Sequence, residues 1–175
     1  EKGVYDFSWL DDIVDNLTRR GMEPWLCLCY GNDLYTEMAK EHFGAVGCVP
    51  IHSEEEKQAW RNYVHATVTH FKGRINRYEV WNEPDGLWCW KHGPSGKELG
   101  EFTIDTAAVC KAAAPDCQVI GFCPCRTNRF HYIDELVETG VCDHIDSISY
   151  HSYKIHDQEF EDCYRYYENI AKKHN

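Results

Sequence analysis

Four short apolar runs, at residues 25–30, 75–81, 117–123 and 145–150, alternate with longer segments whose apolar residues recur at helical spacing. A run of four to eight nearly continuous apolar residues fits a strand covered on both faces, which is the environment of a parallel sheet. Parallel neighbours need long crossovers, and the intervening segments have the length and periodicity of helices. The expected architecture is α/β: one helix followed by four strand–helix units in a single domain, with no linker or composition shift to mark a second.

The helices carry their own signals. Trp9, Leu10, Ile13, Val14 and Leu17 share one side of the first, with Ser8 placed to cap it and Gly21 to end it. Ser53-Glu54-Glu55-Glu56 reads as a capping box before a helix whose apolar side holds Trp60, Tyr63, Val64, Val68 and Phe71. A long loop is expected through Gly86, Gly93, Pro94, Gly96 and Gly100, leading to a helix that buries Phe102, Val109, Cys110 and Ala113. Tyr132, Ile133, Leu136 and Val137 mark the next helix, and Phe160, Cys163, Tyr164, Tyr167 and Ile170 the last.

A net charge of −11, with 18 basic residues scattered along the chain, disfavours nucleic acid as a partner. No run of 18 apolar residues suggests a membrane span. The ten cysteines include Cys27 and Cys29, and Cys123 and Cys125, each pair spaced to point to one face of a strand. That placement suits reduced packing thiols and a reducing compartment better than a disulfide scaffold. No C-x-x-C or H-x-x-H set accompanies them, so neither a metal nor another cofactor is expected. The chain begins at Glu1, not Met, which suggests a cut or processed start.

Periodicity alone does not separate a doubly wound sheet from part of an eightfold barrel; the residues at the strand ends do. Those ends carry Tyr30-Gly31-Asn32, Asn82-Glu83-Pro84-Asp85, Pro124-Cys125-Arg126 and Tyr150-His151-Ser152-Tyr153. Polar groups at the C-terminal ends of parallel strands are where a β/α barrel places its chemistry. Taken alone, Asn82-Glu83-Pro84 also fits a simple turn, and His151 also fits a strand-end packing residue.

Trp81-Asn82-Glu83-Pro84 resembles the W-N-E-P motif of clan A glycoside hydrolases. His151-x-Tyr153 is similar to a pair found two strands later in many of those enzymes, and residues 28–32 are similar to the third-strand end of families 39 and 5. The resemblance implies a (β/α)8 TIM barrel of which residues 1–175 form a partial barrel: about four parallel strands, the third to the sixth, with flanking helices. It implies a retaining glycosidase acting on a β-linked saccharide. Glu83 is then the acid/base and Asn82 the donor to the sugar 2-hydroxyl. His151 and Tyr153 would hold the nucleophile and the substrate, Tyr30 and Asn32 would line the site, and Trp88 and Trp90 are candidates to stack on sugar, with one ring expected to face the substrate and the other to pack under the loop. A retaining enzyme sets its two carboxyl groups about 5 to 5.5 Å apart. The nucleophile belongs to a seventh strand that nothing here matches, so the chain is expected to be a fragment, truncated at both ends and inactive alone.

Two further readings stay open: an inverting enzyme using Glu83 with Asp33 or Asp85, and a non-catalytic barrel that binds carbohydrate through Asn82, Trp88 and Trp90. An acid at Glu83 also requires a pKa held above that of a solvated glutamate, by partial burial and a nearby carboxylate.

Overall fold

The computed structural model describes residues 1–41, 45–126, 129–153 and 156–174. Helix α1 (Ser8–Thr18) leads into β1 (Trp25–Leu28), followed by the short α2 (Glu37–Glu41) and the long α3 (Glu54–Phe71). Then come β2 (Arg77–Val80), α4 (Gly96–Ala113), β3 (Gln118–Phe122), α5 (Phe130–Glu138), a 3-10 turn at Val141–Asp143, β4 (Ser147–Ser149) and α6 (Asp157–His174). The strands form one sheet in the order β1-β2-β3-β4, every pair parallel. This is the expected alternation, with each strand trimmed to its hydrogen-bonded centre. Among the described residues no helix is long and apolar enough to cross a membrane.

The core lies between the sheet and its helices. Val64, Val68 and Phe71 of α3, Leu99 and Phe102 of α4, and Ile133 and Leu136 of α5 pack with Leu28, Tyr78, Val80, Val119 and Phe122 of the strands. Around Trp81 the rings of Trp60, Trp90 and Phe102 gather edge-on, at centroid distances of 5.8, 6.0 and 5.7 Å. Such pairs add about 0.5–1.5 kcal/mol each beyond their burial.

Several local expectations are corrected. Ser8 lies inside α1 without capping it; Asp6 Oδ1 instead accepts the Ser8 N–H at 2.9 Å. Ser53 does cap α3, accepting the Glu56 N–H at 3.2 Å. The Glu56 carboxylate, however, accepts from the N–H groups of Glu37 and His52, tying α2 to α3 rather than closing the box. Trp9 is 76% exposed, and Trp25, Ile13, Phe160 and Tyr164 are exposed too. These residues sit on the outer sides of α1, β1 and α6, where β1 is an edge strand, so helical spacing marked an apolar side that this chain does not cover.

Gly96 and Gly100 belong to α4, not to the loop before it, and Ser95 caps the helix by accepting the Glu98 N–H. They allow close approach to α5: a Cβ on Gly96 would run into the Tyr132 carbonyl oxygen, and one on Gly100 into Thr139. Val109 and Ala113 are only partly buried, whereas Phe102 and Cys110 are buried as expected.

Candidate active site

At the C-terminal end of β2 the backbone turns abruptly. Trp81 and Glu83 both take positive φ, 65° and 45°, a conformation that costs a non-glycine residue of order 1–3 kcal/mol. Three contacts hold the turn. The Trp81 ring is fully buried, its Nε1 donates to the Cys89 carbonyl at 2.6 Å, and the Glu83 N–H donates to the Cys123 carbonyl at 3.1 Å. The tryptophan of the motif is thus an anchor that lifts the next two side chains to the rim of the sheet.

Neighbouring strand ends are fixed to this one. Phe122 and Cys123 also take positive φ, 80° and 48°. The Cys123 N–H bonds the Ser149 carbonyl, and the His151 N–H bonds the Pro124 carbonyl at 2.8 Å. Asp85 is fully buried, its two oxygens accepting from the N–H groups of Cys125 and Arg126 at 2.9 and 2.8 Å. Both Asp85 oxygens thus tie the end of β2 to the backbone beyond β3. Asp33 is exposed in the loop after β1.

Glu83 receives three donors. His151 Nδ1 and Tyr153 Oη lie 2.9 Å from Oε1, and Trp88 Nε1 lies 2.9 Å from Oε2. Burial pushes the Glu83 carboxyl up, but the bonds from His151, Trp88 and Tyr153 and the charge interaction with His151 outweigh it, so its pKa lies below the ordinary glutamate value. This reverses the expected direction, because donors favour the ionised form. A carboxylate can only accept, so the hydrogen in the His151 bond sits on Nδ1, and Nε2 faces the other way. Tyr153 is raised by its bond to Glu83.

The other expected site residues divide. Trp88 is 45% exposed beside Glu83, with the Arg126 guanidinium 5.0 Å from its ring. Asn82 is half-buried, its Nδ2 3.5 Å from Cys89 Sγ. Trp90 is fully buried beneath the loop, its Nε1 turned to His92 and Glu98, so it offers no ring face to a sugar. Tyr30 and Asn32 line a separate cavity of about 310 Å³ with Tyr5, Tyr35, Trp60 and Tyr63. Tyr30 meets the site through Trp81, 5.5 Å away edge-on, and through a hydrogen bond with Cys89, and exposed Asn32 holds its own turn by accepting the Leu34 N–H.

Beneath Glu83 lies a group that motif reading passed over. Glu79 and Cys123, both buried, and half-buried His151 bring a carboxylate oxygen, a thiol sulfur and an imidazole nitrogen within 4.8 Å of one another. His151 Nε2 is 3.4 Å from Cys123 Sγ. Burial pushes the Cys123 thiol up to about 12. The available signal was Glu79 itself, a charge in the middle of an apolar strand.

Comparison with known proteins decides the family. The sequence profile of glycosyl hydrolases family 39 matches residues 1–175. The chain belongs to glycosyl hydrolase family 39. It is 27% identical over 127 residues to a beta-xylosidase from Geobacillus stearothermophilus, an alignment covering 69% of this chain and 25% of that protein. Among solved structures it is similar to a family 39 beta-xylosidase from Caulobacter crescentus, with TM-score 0.71, 20% identity and coverage of 93% of this chain and 37% of that one. It is also similar to xylanase 10B from Thermotoga petrophila, with TM-score 0.68, 18% identity and coverage of 97% and 53%. The family 39 chain therefore spans about a quarter of the length of its curated relative, and its four parallel strands with their helices form a partial (β/α)8 barrel of clan A.

Proposed function

We propose that this chain carries the acid/base side of a retaining glycosidase site, with Glu83 as the acid/base residue acting on a β-linked saccharide. The observation that supports this most is the convergence of His151, Tyr153 and Trp88 on the Glu83 carboxylate from three separate segments. A carboxyl group that protonates the glycosidic oxygen and then deprotonates water needs a fixed orientation and access to solvent, and this one has both.

In this reading Glu83, ionised and held by three donors, is set for the second step, in which it takes a proton from water. For the first step it must be protonated; desolvation by bound sugar and a second carboxylate across the site both favour that form. The nucleophile is then supplied by a part of the barrel outside these 175 residues. Asn82 donates to the sugar 2-hydroxyl, and Trp88 offers its exposed ring to the apolar face of a pyranose. The names of the relatives make β-xylosides the first substrates to try.

The test is an aryl β-xyloside assay on a barrel-length protein containing this chain, comparing wild type with Glu83→Ala in the presence of azide. An acid/base residue in a retaining enzyme predicts slow turnover of the variant, restored by azide with formation of the β-xylosyl azide. Undiminished activity of Glu83→Ala would remove the assignment. Xylo-oligosaccharide binding by the wild type without turnover would favour the carbohydrate-binding reading instead.

A further inference from the structure

We propose that Glu79, Cys123 and His151 form a binding site for one thiophilic divalent cation of the zinc class, at the floor beneath Glu83. The three residues come from three strands or strand ends and point to one place, with their ligand atoms all within 4.8 Å. Mixed sulfur, nitrogen and oxygen donors of this kind are what zinc selects, and three protein ligands with an open fourth position make a complete set for it.

The distances suit that ion. Zinc–sulfur and zinc–nitrogen bonds of about 2.3 and 2.0 Å at a tetrahedral angle separate sulfur from nitrogen by about 3.5 Å. Cys123 Sγ and His151 Nε2 are 3.4 Å apart, so no backbone movement is needed for these two. The tautomer suits it as well. Because Nδ1–H is given to Glu83 Oε1, the Nε2 lone pair points away from Glu83, toward Cys123. A histidine that donates one ring nitrogen to a carboxylate and ligates through the other is the usual way such residues are oriented.

Binding forms the metal–sulfur bond as the Cys123 thiol releases its proton to solvent, with no change of oxidation state. Half-buried His151 leaves an approach from the Glu83 side. Cys27, paired in register with Glu79, is the neighbouring competitor: its sulfur is 3.2 Å from the Trp81 carbonyl and 3.6 Å from Cys29 Sγ. The proposal does not require Glu83 to be catalytic, and its readouts involve no turnover.

Cobalt(II) and zinc(II) are the probes, on a barrel-length protein containing this chain. One equivalent of cobalt should give a thiolate-to-metal charge-transfer band, and zinc should displace it. Cys123→Ser should abolish the band, and Glu79→Gln, which replaces a carboxylate ligand by a neutral amide, should weaken binding by more than the roughly 10-fold that losing an outer-shell partner costs. The double variant Cys27→Ser/Cys29→Ser should keep it. Should a variant fail to fold, X-ray absorption on the zinc-loaded wild-type protein answers alone, with one sulfur at about 2.3 Å and nitrogen or oxygen at about 2.0 Å expected. A shell of two sulfurs, a band that follows Cys27 and Cys29, or no retained metal at one equivalent would overturn the proposal.

Discussion

His151 Nδ1 sits 2.9 Å from Glu83 Oε1, although the two residues are 68 positions apart in the chain. The bond joins the end of β2 to the end of β4, skipping β3, and it makes the protonation state of Glu83 depend on a different strand. Since donors lower the Glu83 pKa, removing them should raise it. His151→Ala is expected to shift the carboxyl titration upward, and Tyr153→Phe to do so by less, because it removes one donor and no charge. Titration of 13C-labelled Glu83 by NMR measures both. An unchanged titration in His151→Ala would mean that Trp88 and Tyr153 alone hold the carboxylate.

How much of this was readable beforehand varies with the physical cause. Glu83 and Asn82 were legible because their neighbours in sequence, Trp81 and Pro84, build the turn that presents them. His151 and Tyr153 were legible because they stand together just beyond an apolar run. That one of Trp88 and Trp90 would pack under the loop was expected, but not which; Trp81, Phe102 and Glu98 draw Trp90 inward. Sequence spacing does not encode that choice. The same holds for Trp9 and Tyr164, whose exposure depends on what covers their helix, and for Cys123, whose partners lie on other strands.

Asp146 should govern part of the acid sensitivity. Its Oδ2 accepts the Val119 N–H at 2.7 Å and lies 2.9 Å from Lys111 Nζ, joining the start of β4 to β3. Burial pushes the carboxyl up, but these partners more than offset it, so its folded pKa is depressed. A depressed pKa means the contribution is complete above the unfolded value of about 3.9 and is lost as pH falls through the folded value. Asp146→Ala leaves the N–H of buried Val119 without its acceptor, at a cost of about 1–3 kcal/mol at neutral pH. Urea denaturation at pH 7 and near pH 3 should show the wild-type advantage shrinking in acid. A pH-independent gap would assign the loss to packing.

Gly96→Ala tests the α4–α5 contact through its sign. In a solvated helix interior this change stabilises by about 1 kcal/mol. Here the new methyl would meet the Tyr132 carbonyl oxygen and the Leu136 nitrogen, both backbone, so neither helix can yield by rotating a side chain. The expected result is a loss of about 1–3 kcal/mol in chemical denaturation. A gain in stability would show that the two helices can separate at little cost.

Trp88 combines two roles that substitution can separate. Its Nε1 donates to Glu83 Oε2 at 2.9 Å, while its ring stays 45% exposed with Arg126 over it. Trp88→Phe keeps a ring for a sugar to stack on but removes the donor, so the Glu83 pKa should rise and the alkaline limb of the kcat/KM profile, where the general acid is lost, should move up with it. Trp88→Ala removes both, and the added loss of stacking, about 1 kcal/mol, should appear as a KM raised about fivefold over that of the phenylalanine variant. Steady-state kinetics of a barrel-length protein on xylo-oligosaccharides across pH distinguishes the two. Equal KM values for the variants would confine Trp88 to holding the Glu83 carboxylate, since Gly86 leaves room for its ring to pack against the turn.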